Sequence, residues 1–392
     1  MSGPPPREPP PIPLSEELLR ATAELERATG PEPDPVETLA KEREARISQV
    51  RAANRGLVIQ TAFPGDVILS TPLIRRAAER LGAPVDVIVV PVAANVLQHN
   101  PWIRDVIVFD KKGADGGITG FWRLVRKLRL RRYHTAYIAQ SSPRSALLAV
   151  FARIPRRIGF RNAKGAFFYT HAVTTRGEVH QLERLLALAD GAPDRREPEI
   201  YPSAKDQEAV DALLAEAGIM GDFIAMAPGS QWATKRWPFF PELARAMGDL
   251  RIAIVGGPDD RADARAIRQA IGGTPVADGV GRLTMLQSGE LIRRAGLLIS
   301  NDSAPVHLAG AVGTPVIEIY GPTVPQFGFA ARPELSRIVE PDPMPCRPCH
   351  PHGPVICPLG HHKCMRSQSI ATVLAEVRTV LQIVRVRAKY KK

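Results

Sequence analysis

A chain of 392 residues, 44% of them hydrophobic, is long enough for two domains with substantial cores, since a domain averages about 150 residues. Its 52 Lys and Arg against 40 Asp and Glu leave a net charge of +12, which favours an anionic partner: nucleic acid, a membrane surface or a phosphorylated substrate. No apolar run approaches the roughly 20 residues of a spanning helix, and the start resembles no secretory signal, so we expect a cytoplasmic protein.

The first 50 residues carry no recognisable chemistry. Residues 1–13 are rich in proline, which cannot sustain helix or sheet hydrogen bonding and predicts a disordered leader. Residues 14–50 place scattered apolar residues among alternating charges, which predicts one or two short solvated helices broken at Pro31 and Pro33. We therefore expect the first folded domain to begin near residue 51.

From Gly56 onward, short apolar runs alternate with helical patterns, and this alternation predicts parallel sheets covered on both faces by helices, an α/β fold. The predicted strands are 57–61, 85–90, 106–109, a strand at 137–139, 223–227, 252–255, 297–300 and 316–320. The repeat of the pattern after residue 200 predicts a domain of residues 51–204, a second of residues 205–368, and a C-terminal helix with a basic tail, 369–392. Ligands are expected beyond the carboxyl ends of the strands, in a cleft between the domains.

The first strand leads into Phe63-Pro-Gly-Asp66, where Pro64 and Gly65 force a turn. An Asp at this point is ordinarily the N-cap of the following helix. A carboxylate at the end of a parallel strand is also placed to act as a general base. The residues alone leave both interpretations open.

A basic amphipathic helix is predicted at residues 121–132, followed by a loop containing Ser142 and Arg144 after the strand at 137–139. The helix either covers the first domain or rests on an anionic membrane leaflet, helped by the basic residues at the C-terminus. The planar fork of an arginine such as Arg144 suits carboxylates and phosphates, although such a residue can also serve only solubility.

Two strand-to-helix turns of the second domain offer donors to an anion. The first runs from Gly229 to Pro238 and contains Lys235, with Pro238 predicted at the first helical position. The second is Asn301-Asp-Ser-Ala-Pro-Val-His307, where Asp302 or Ser303 is expected to cap a helix whose positive end faces outward. Each turn also has an ordinary interpretation, a solvated Lys and a well-capped helix. Together they predict a site for a nucleotide diphosphate.

All four cysteines fall within one short segment, Cys346, Cys349, Cys357 and Cys364, with four histidines interspersed. The density resembles that of metal ligands, but the second half lacks the paired spacing of a zinc ribbon. A structural zinc or iron-sulfur site is therefore a possibility that we favour less than a proline-braced loop of reduced thiols.

These motifs, in this order, resemble the lipopolysaccharide heptosyltransferase family, glycosyltransferase family 9, and in particular its heptosyltransferase II type, over about residues 55–380. The resemblance implies a GT-B architecture of two facing Rossmann-like domains and an inverting transfer of heptose from ADP-L-glycero-D-manno-heptose to an inner-core heptose or Kdo on lipid A. It implies Asp66 as general base and Lys235 as the cation that stabilises the leaving diphosphate. It implies no metal in the chemistry, and a C-terminal helix that packs back towards the first domain.

The same resemblance assigns the remaining site residues. Donor contacts are implied for Ser230, Gln231, Lys235, Asp260, Asp302, Ser303, Ala304 and His307. Asp259 is a second candidate beside Asp260 for the donor ribose, and Ala304 stands where many members have Gly, so the backbone approaches the donor slightly less closely. Ser142 and Arg144 are implied to bind the anionic groups of the acceptor.

Two alternatives remain. One is a transferase or epimerase on the same scaffold that uses another nucleotide sugar. The more distant one is a non-enzymatic protein that binds nucleic acid or metal, although aromatic residues make up only 6% of the chain and no nucleic-acid motif is recognisable. We expect no cofactor, a lipid-linked acceptor as partner and no binding of nucleic acid. We expect a cytoplasmic location, and the sequence leaves open whether the protein also contacts the membrane peripherally.

Overall fold

The computed structural model describes residues 54–175, 177, 179–190, 197–331 and 336–390, the last six of these by their backbone alone. The predicted leader and short helices of residues 1–50, and the side chains of the basic C-terminal run, lie outside the described residues.

The first sheet has six parallel strands in the order β3-β2-β1-β4-β5-β6. Its strands are β1 Gly56–Ile59, β2 Val85–Val89, β3 Ile103–Val108, β4 Thr135–Ile138, β5 Arg156–Phe160 and β6 His171–Val173. The apolar side chains of β1, β2 and β4 are fully buried because helices cover both faces of the sheet. The strand order reverses between β1 and β4, which is where open parallel sheets form ligand crevices.

The second sheet repeats this topology, with the order β12-β11-β10-β7-β8-β9. Its strands are β7 Ile224–Ala227, β8 Ile252–Ile254, β9 Val276–Asp278, β10 Leu298–Asn301, β11 Val316–Ile319 and β12 Ser336–Val339. Its switch point lies between β7 and β10. The two sheets lie on either side of the boundary predicted near residues 200–205; the precise domain limits stay a prediction.

The helices follow the predicted alternation with the strands. In the first half they are α1 Pro64–Leu69, α2 Thr71–Leu81, α3 Pro91–Ala94, α4 Gly117–Arg131, α5 Pro143–Phe151 and α6 Gln181–Leu186. In the second half they are α7 Ala204–Glu216, α8 Phe240–Ala246, α9 Arg261–Ile271, α10 Met285–Arg294, α11 Ala304–Val312, α12 Lys363–Arg366 and α13 Ile370–Tyr390. No helix within the described ranges is long and apolar enough to cross a membrane.

The two halves of the chain contact each other directly. Helix α1 packs against α11 of the second half. The side-chain carbonyl of Asn95 accepts a hydrogen bond from the backbone N–H of Leu286 at 3.0 Å. The backbone carbonyl of Gly328 accepts one from the N–H of Gln181 at 2.8 Å. These contacts hold the carboxyl ends of the two sheets on opposite sides of one cleft.

The C-terminal helix α13 corrects one expectation. We expected it to pack back towards the first domain, but it packs against α8, β11 and β12 of the second. Its buried Val373 and Val377 join an apolar cluster with Trp237, and the indole N–H of Trp237 donates to the backbone carbonyl of Gln368 at 3.1 Å. The burial of this apolar stripe fixes the helix where it lies.

Candidate functional site

A cavity of about 700 Å³ opens between the two sheets at the carboxyl ends of their strands. It is lined by the turn after β1, the turns after β7 and β8, the start of α10, the turn between β10 and α11, and residues 351–352. Both switch points therefore face the same space. Its volume lies within the range typical of small-molecule sites.

Asp66 lines the cavity from the first domain. One of the two interpretations of the sequence makes it the N-cap of the helix, but α1 begins at Pro64 with Phe63 as its N-cap, so Asp66 lies in the first helical turn. Burial raises its pKa to about 6, against a smaller opposing effect of the hydrogen bond with the Phe63 backbone. The carboxylate is consequently a stronger base than an exposed Asp, while it is still mostly ionised at neutral pH.

Lys235 lies on the opposite wall, in a 3-10 turn at Ala233–Lys235. The helix after this turn begins at Phe240, so Pro238 precedes it and is not at its first position as predicted. The Lys235 ammonium lies 2.5 Å from Asp302 Oδ2, which also accepts a hydrogen bond from the Thr323 hydroxyl at 2.6 Å. Asp302 therefore holds the ammonium at the cavity wall.

Helix α11 begins at the cavity with Ser303 as its N-cap residue, in extended conformation. The Ser303 side chain makes no cap hydrogen bond and lies 3.4 Å from the carbonyl of Gly229 instead. The first turn of the helix, at Ala304, faces the cavity and presents its positive end to a ligand. Of the two residues expected to cap the helix, Ser303 is the N-cap residue and Asp302 precedes it.

His307 is buried one turn further along α11. Burial lowers its pKa to about 4, so the ring is neutral at physiological pH and offers one N–H donor. A Cβ added at Gly65 would lie 2.7 Å from the Cδ2 atom of His307. A side chain at Gly65 would therefore force the buried His307 ring or the helix to shift where α1 of the first domain meets α11 of the second.

Asn301 organises the turn after β7. Its amide donates to the carbonyl of Pro228 at 2.7 Å, and its side-chain oxygen accepts from the backbone N–H of Trp237 at 3.1 Å. Ser230 and Gln231 both line the cavity; Ser230 is buried and Gln231 is exposed. Sequence reasoning assigned no role to Asn301, whose position at the end of β10 was the available signal.

Asp260 lines the cavity, but protein groups already engage its carboxylate. One oxygen accepts a hydrogen bond from the Gly257 N–H at 2.9 Å, and the other lies 2.9 Å from a guanidinium nitrogen of Arg236. The neighbouring Asp259 is exposed and also lines the cavity. Of the two ribose candidates, Asp259 has the more accessible carboxylate.

Ser142 and Arg144 lie at the carboxyl edge of the first sheet, outside the residues that line the cavity. The guanidinium of Arg144 stacks over the Phe109 ring at 5.0 Å. Lys111, which sequence reasoning missed, donates to the carbonyl of Thr61 at 2.8 Å. Burial lowers the pKa of Lys111, and the charges of Lys112 and Arg144 lower it further, so these three cations lie near one another.

The Cys/His segment, residues 346–364, forms part of the cavity wall beside Lys235, through Pro351 and His352. Its backbone is tied to the turn after β11 by a hydrogen bond from the Cys349 N–H to the carbonyl of Pro322 at 3.0 Å. His352 at its tip lines the cavity together with Phe63 and Trp232. The four cysteines are free thiols, and among the described residues no group of three or more His, Cys, Asp or Glu side chains is arranged to hold a metal ion.

Two Rossmann-like domains that face each other across a cleft form the GT-B architecture, which confirms the predicted fold class. The structure is similar to that of a glycosyl transferase of family 9 from Veillonella parvula, with a TM-score of 0.73 and 21% identity over 84% of this chain and 98% of the other. It is also similar to E. coli ADP-heptose lps heptosyltransferase II, with a TM-score of 0.68 and 22% identity over the same shares of the two chains.

The chain belongs to glycosyltransferase family 9 (heptosyltransferase), whose model matches residues 121–350. It is 27% identical to lipopolysaccharide heptosyltransferase 2 of Salmonella typhimurium over 69% of this chain and 84% of that protein. The family and the enzyme class predicted from the sequence are confirmed. The roles of the individual site residues stay predictions.

Proposed function

We propose that this enzyme transfers heptose from ADP-L-glycero-D-manno-heptose to a heptose or Kdo of the lipopolysaccharide inner core, with inversion at the anomeric carbon. The names of the relatives support heptosyl transfer in lipopolysaccharide assembly. The observation that carries the proposal is that a carboxylate of raised basicity, Asp66, and an ammonium, Lys235, line one cavity from opposite domains.

Asp66 acts as the general base of the proposed reaction. As the acceptor hydroxyl oxygen bonds to the anomeric carbon, the hydroxyl proton passes to the Asp66 carboxylate. The bond between the anomeric carbon and the diphosphate oxygen breaks, and its electron pair leaves with ADP. Attack from the face opposite the departing diphosphate inverts the configuration.

The second domain stabilises the leaving group. Charge grows on the diphosphate oxygens as the bond breaks, and Lys235 is held at the cavity wall to neutralise it. The N-terminus of α11 and the neutral His307 add N–H donors beside it. Because these groups are fixed before the donor binds, little reorganisation is needed in the transition state.

The acceptor enters from the first domain. Lys111, Lys112 and Arg144 form a cation cluster at the carboxyl edge of the first sheet. The mutual repulsion of these cations is relieved when an anion binds among them. The carboxylate of a Kdo residue or a core phosphate supplies such an anion, so we place the charged part of the acceptor against this edge.

Helix α4 offers a surface for the lipid end of the acceptor. Its buried side packs Leu124, Val125 and Leu128 into the first domain, which supports the interpretation of a covering helix. Its outer side exposes apolar and basic residues together, namely Ile118, Trp122, Arg123, Arg126, Lys127, Arg129 and Leu130. Bulky apolar groups among cations are typical of helices that rest on anionic bilayers. We propose peripheral membrane contact through this face.

Donor choice is tested by incubating the enzyme with ADP-heptose or with UDP-sugars and a lipid A-linked inner-core acceptor, and measuring product mass. We expect a heptose mass increment from ADP-heptose alone. Product formation only from a UDP-sugar would favour the alternative of another nucleotide-sugar transferase on this scaffold. Membership of a glycosyltransferase family leaves the non-enzymatic alternative without support.

The membrane contact is tested by sedimentation with phosphatidylglycerol-containing vesicles. The paired change Arg126→Glu and Lys127→Glu removes two cations from α4, and at about 1 kcal/mol per basic residue it should weaken binding by at least about 30-fold. The paired change Arg265→Glu and Arg268→Glu on α9 alters the net charge equally and serves as control. Equal weakening by both pairs would contradict a specific membrane face.

A further inference from the structure

Three aromatic side chains meet across the cleft at the rim of the cavity. Phe63 comes from the first domain, and Trp232 and His352 come from the second. The Phe63 ring centroid lies 6.2 Å from that of Trp232 and 5.8 Å from that of His352, with both pairs near edge-to-face. Phe63 is nevertheless 38% exposed, although a large apolar ring of a core would be buried.

The Cys/His segment is built to present His352 at this rim. His350 to Gly353 form a turn in which the Gly353 N–H bonds to the carbonyl of His350 at 3.3 Å and Gly353 has a φ of +83°. The Thr234 hydroxyl donates to the carbonyl of Pro354 just beyond the turn. A Cβ at Gly353 would lie 3.1 Å from the Cε of Lys235, so the turn lies tightly against the lysine.

We infer that Phe63, Trp232 and His352 form a saccharide subsite that packs against a sugar ring of the acceptor; this inference rests on the proposed function. A pyranose has apolar C–H faces, which aromatic rings bury well, and hydroxyls at its edges. The rings belong to both domains, so a sugar held among them also joins the two halves of the cleft.

The protonation state of His352 favours a hydroxyl over a phosphate as its partner. Burial lowers the pKa of His352, and the neighbouring His350 and Lys235 lower it further. A neutral imidazole has one donor and one acceptor nitrogen, which matches a sugar hydroxyl. The permanent cation Lys235, by contrast, suits the diphosphate.

The position of the subsite assigns it to the acceptor. Phe63 immediately precedes α1, whose first turn carries Asp66, the proposed base for the acceptor hydroxyl. The proposed mechanism assigns the diphosphate to the inner wall at Lys235 and α11, and the resemblance assigns the donor ribose to Asp260 or Asp259. The exposed rim is the part of the cavity that is left for the acceptor, and an acceptor that arrives from solvent reaches this rim first.

The test is steady-state kinetics with ADP-heptose and an O-deacylated inner-core acceptor. Phe63→Leu and His352→Gln should each raise the acceptor KM about 5- to 10-fold and leave the donor KM within about twofold, as expected for loss of one aromatic contact. Phe63→Tyr should restore the acceptor KM. Phe167→Leu, at a 94% exposed ring outside the cavity, is the matched control and should change neither constant.

A rise in the donor KM instead, or an acceptor KM equal to that of the control, would overturn the subsite. A second measurement separates this failure from failure of the proposed function. The acceptor oligosaccharide alone, without donor, should shift the fluorescence of Trp232, identified by its loss in Trp232→Phe. A shift without any turnover of ADP-heptose would leave the subsite standing and refute the proposed reaction; turnover without a shift would refute the subsite alone.

Discussion

The raised basicity of Asp66 makes a quantitative prediction about pH. With a pKa of about 6, about 91% of the carboxylate is ionised at pH 7 and about 9% at pH 5. The kcat/KM of the enzyme should therefore fall about tenfold between these pH values, because it follows the base in the free enzyme. An Asp with the ordinary value of 3.8 would stay about 94% ionised at pH 5 and predict almost no fall.

The assay is release of ADP from ADP-heptose, measured from pH 4.5 to 8 with an acceptor that lacks phosphate monoesters, whose own ionisation would interfere. Asp66→Asn should lower kcat by about 10²- to 10⁴-fold and remove the acid limb. Its stability at pH 7 should equal or exceed that of the wild type, because burial disfavours the ionised carboxylate. ADP should still bind, as shown by its effect on Tm.

Two results would refute the assignment of Asp66. One is an acid limb near pH 4 in the wild type, which would mean that burial does not perturb this carboxylate. The other is an Asp66→Asn enzyme that keeps the wild-type limb near pH 6, which would assign the titration to another group. Loss of activity together with loss of ADP binding would point to a damaged cleft instead of a missing base.

Three further predictions concern Lys235, Gly65 and Asp86. Lys235→Met should lower kcat by about 10²- to 10³-fold with a smaller effect on the Kd of ADP, and Lys235→Arg should recover part of the lost kcat. Equal losses in kcat and in ADP affinity would contradict a role of Lys235 in the transition state. Gly65→Ala forces a Cβ to within 2.7 Å of His307 and should cost about 1–3 kcal/mol at the domain contact, seen as a lower kcat in a protein of near-normal Tm. Asp86→Asn should lower the free energy of unfolding at pH 7 by about 3 kcal/mol in urea melts, since Asp86 is fully buried and bonded to Arg104 and Arg131. The hydrogen bonds from these groups and Tyr133 lower the pKa of Asp86 despite its burial, so this stabilisation is present above pH 4 and is lost as the pH falls through the folded-state pKa.

The strands that the sequence predicted are short runs of mainly apolar residues. Strand β5 was not predicted because Arg156–Phe160 begins with two arginines and contains Gly159. Strand β6 was not predicted because His171–Val173 is only three residues long. Strands β9 and β12, which were also not predicted, have three and four residues and lie at the two edges of the second sheet. These segments become strands because a neighbour in the sheet supplies their hydrogen bonds, which is tertiary information.

The site residues divide in the same way. Turns that directly follow strands, such as those of Asp66 and His307, could be located because the carboxyl ends of parallel strands meet at one edge. The ion pair between Lys235 and Asp302 could not be predicted, because it joins two turns that lie far apart in sequence. His352 gave no usable signal either, since its turn lies against Lys235 only after the segment folds over the second sheet.

The repetition of one topology explains how the chemistry is divided. Each sheet has its switch point next to its first strand, and a face-to-face arrangement brings both switch points onto one cavity. In the mechanism we propose, the first domain contributes the proton acceptor and the second contributes the positive charge, so neither half alone can complete the transfer. In that mechanism the distance from Asp66 to the donor depends on how closely α1 approaches α11. A side chain at Gly65 would force either the His307 ring or the helix to shift, because its Cβ would lie 2.7 Å from His307 Cδ2.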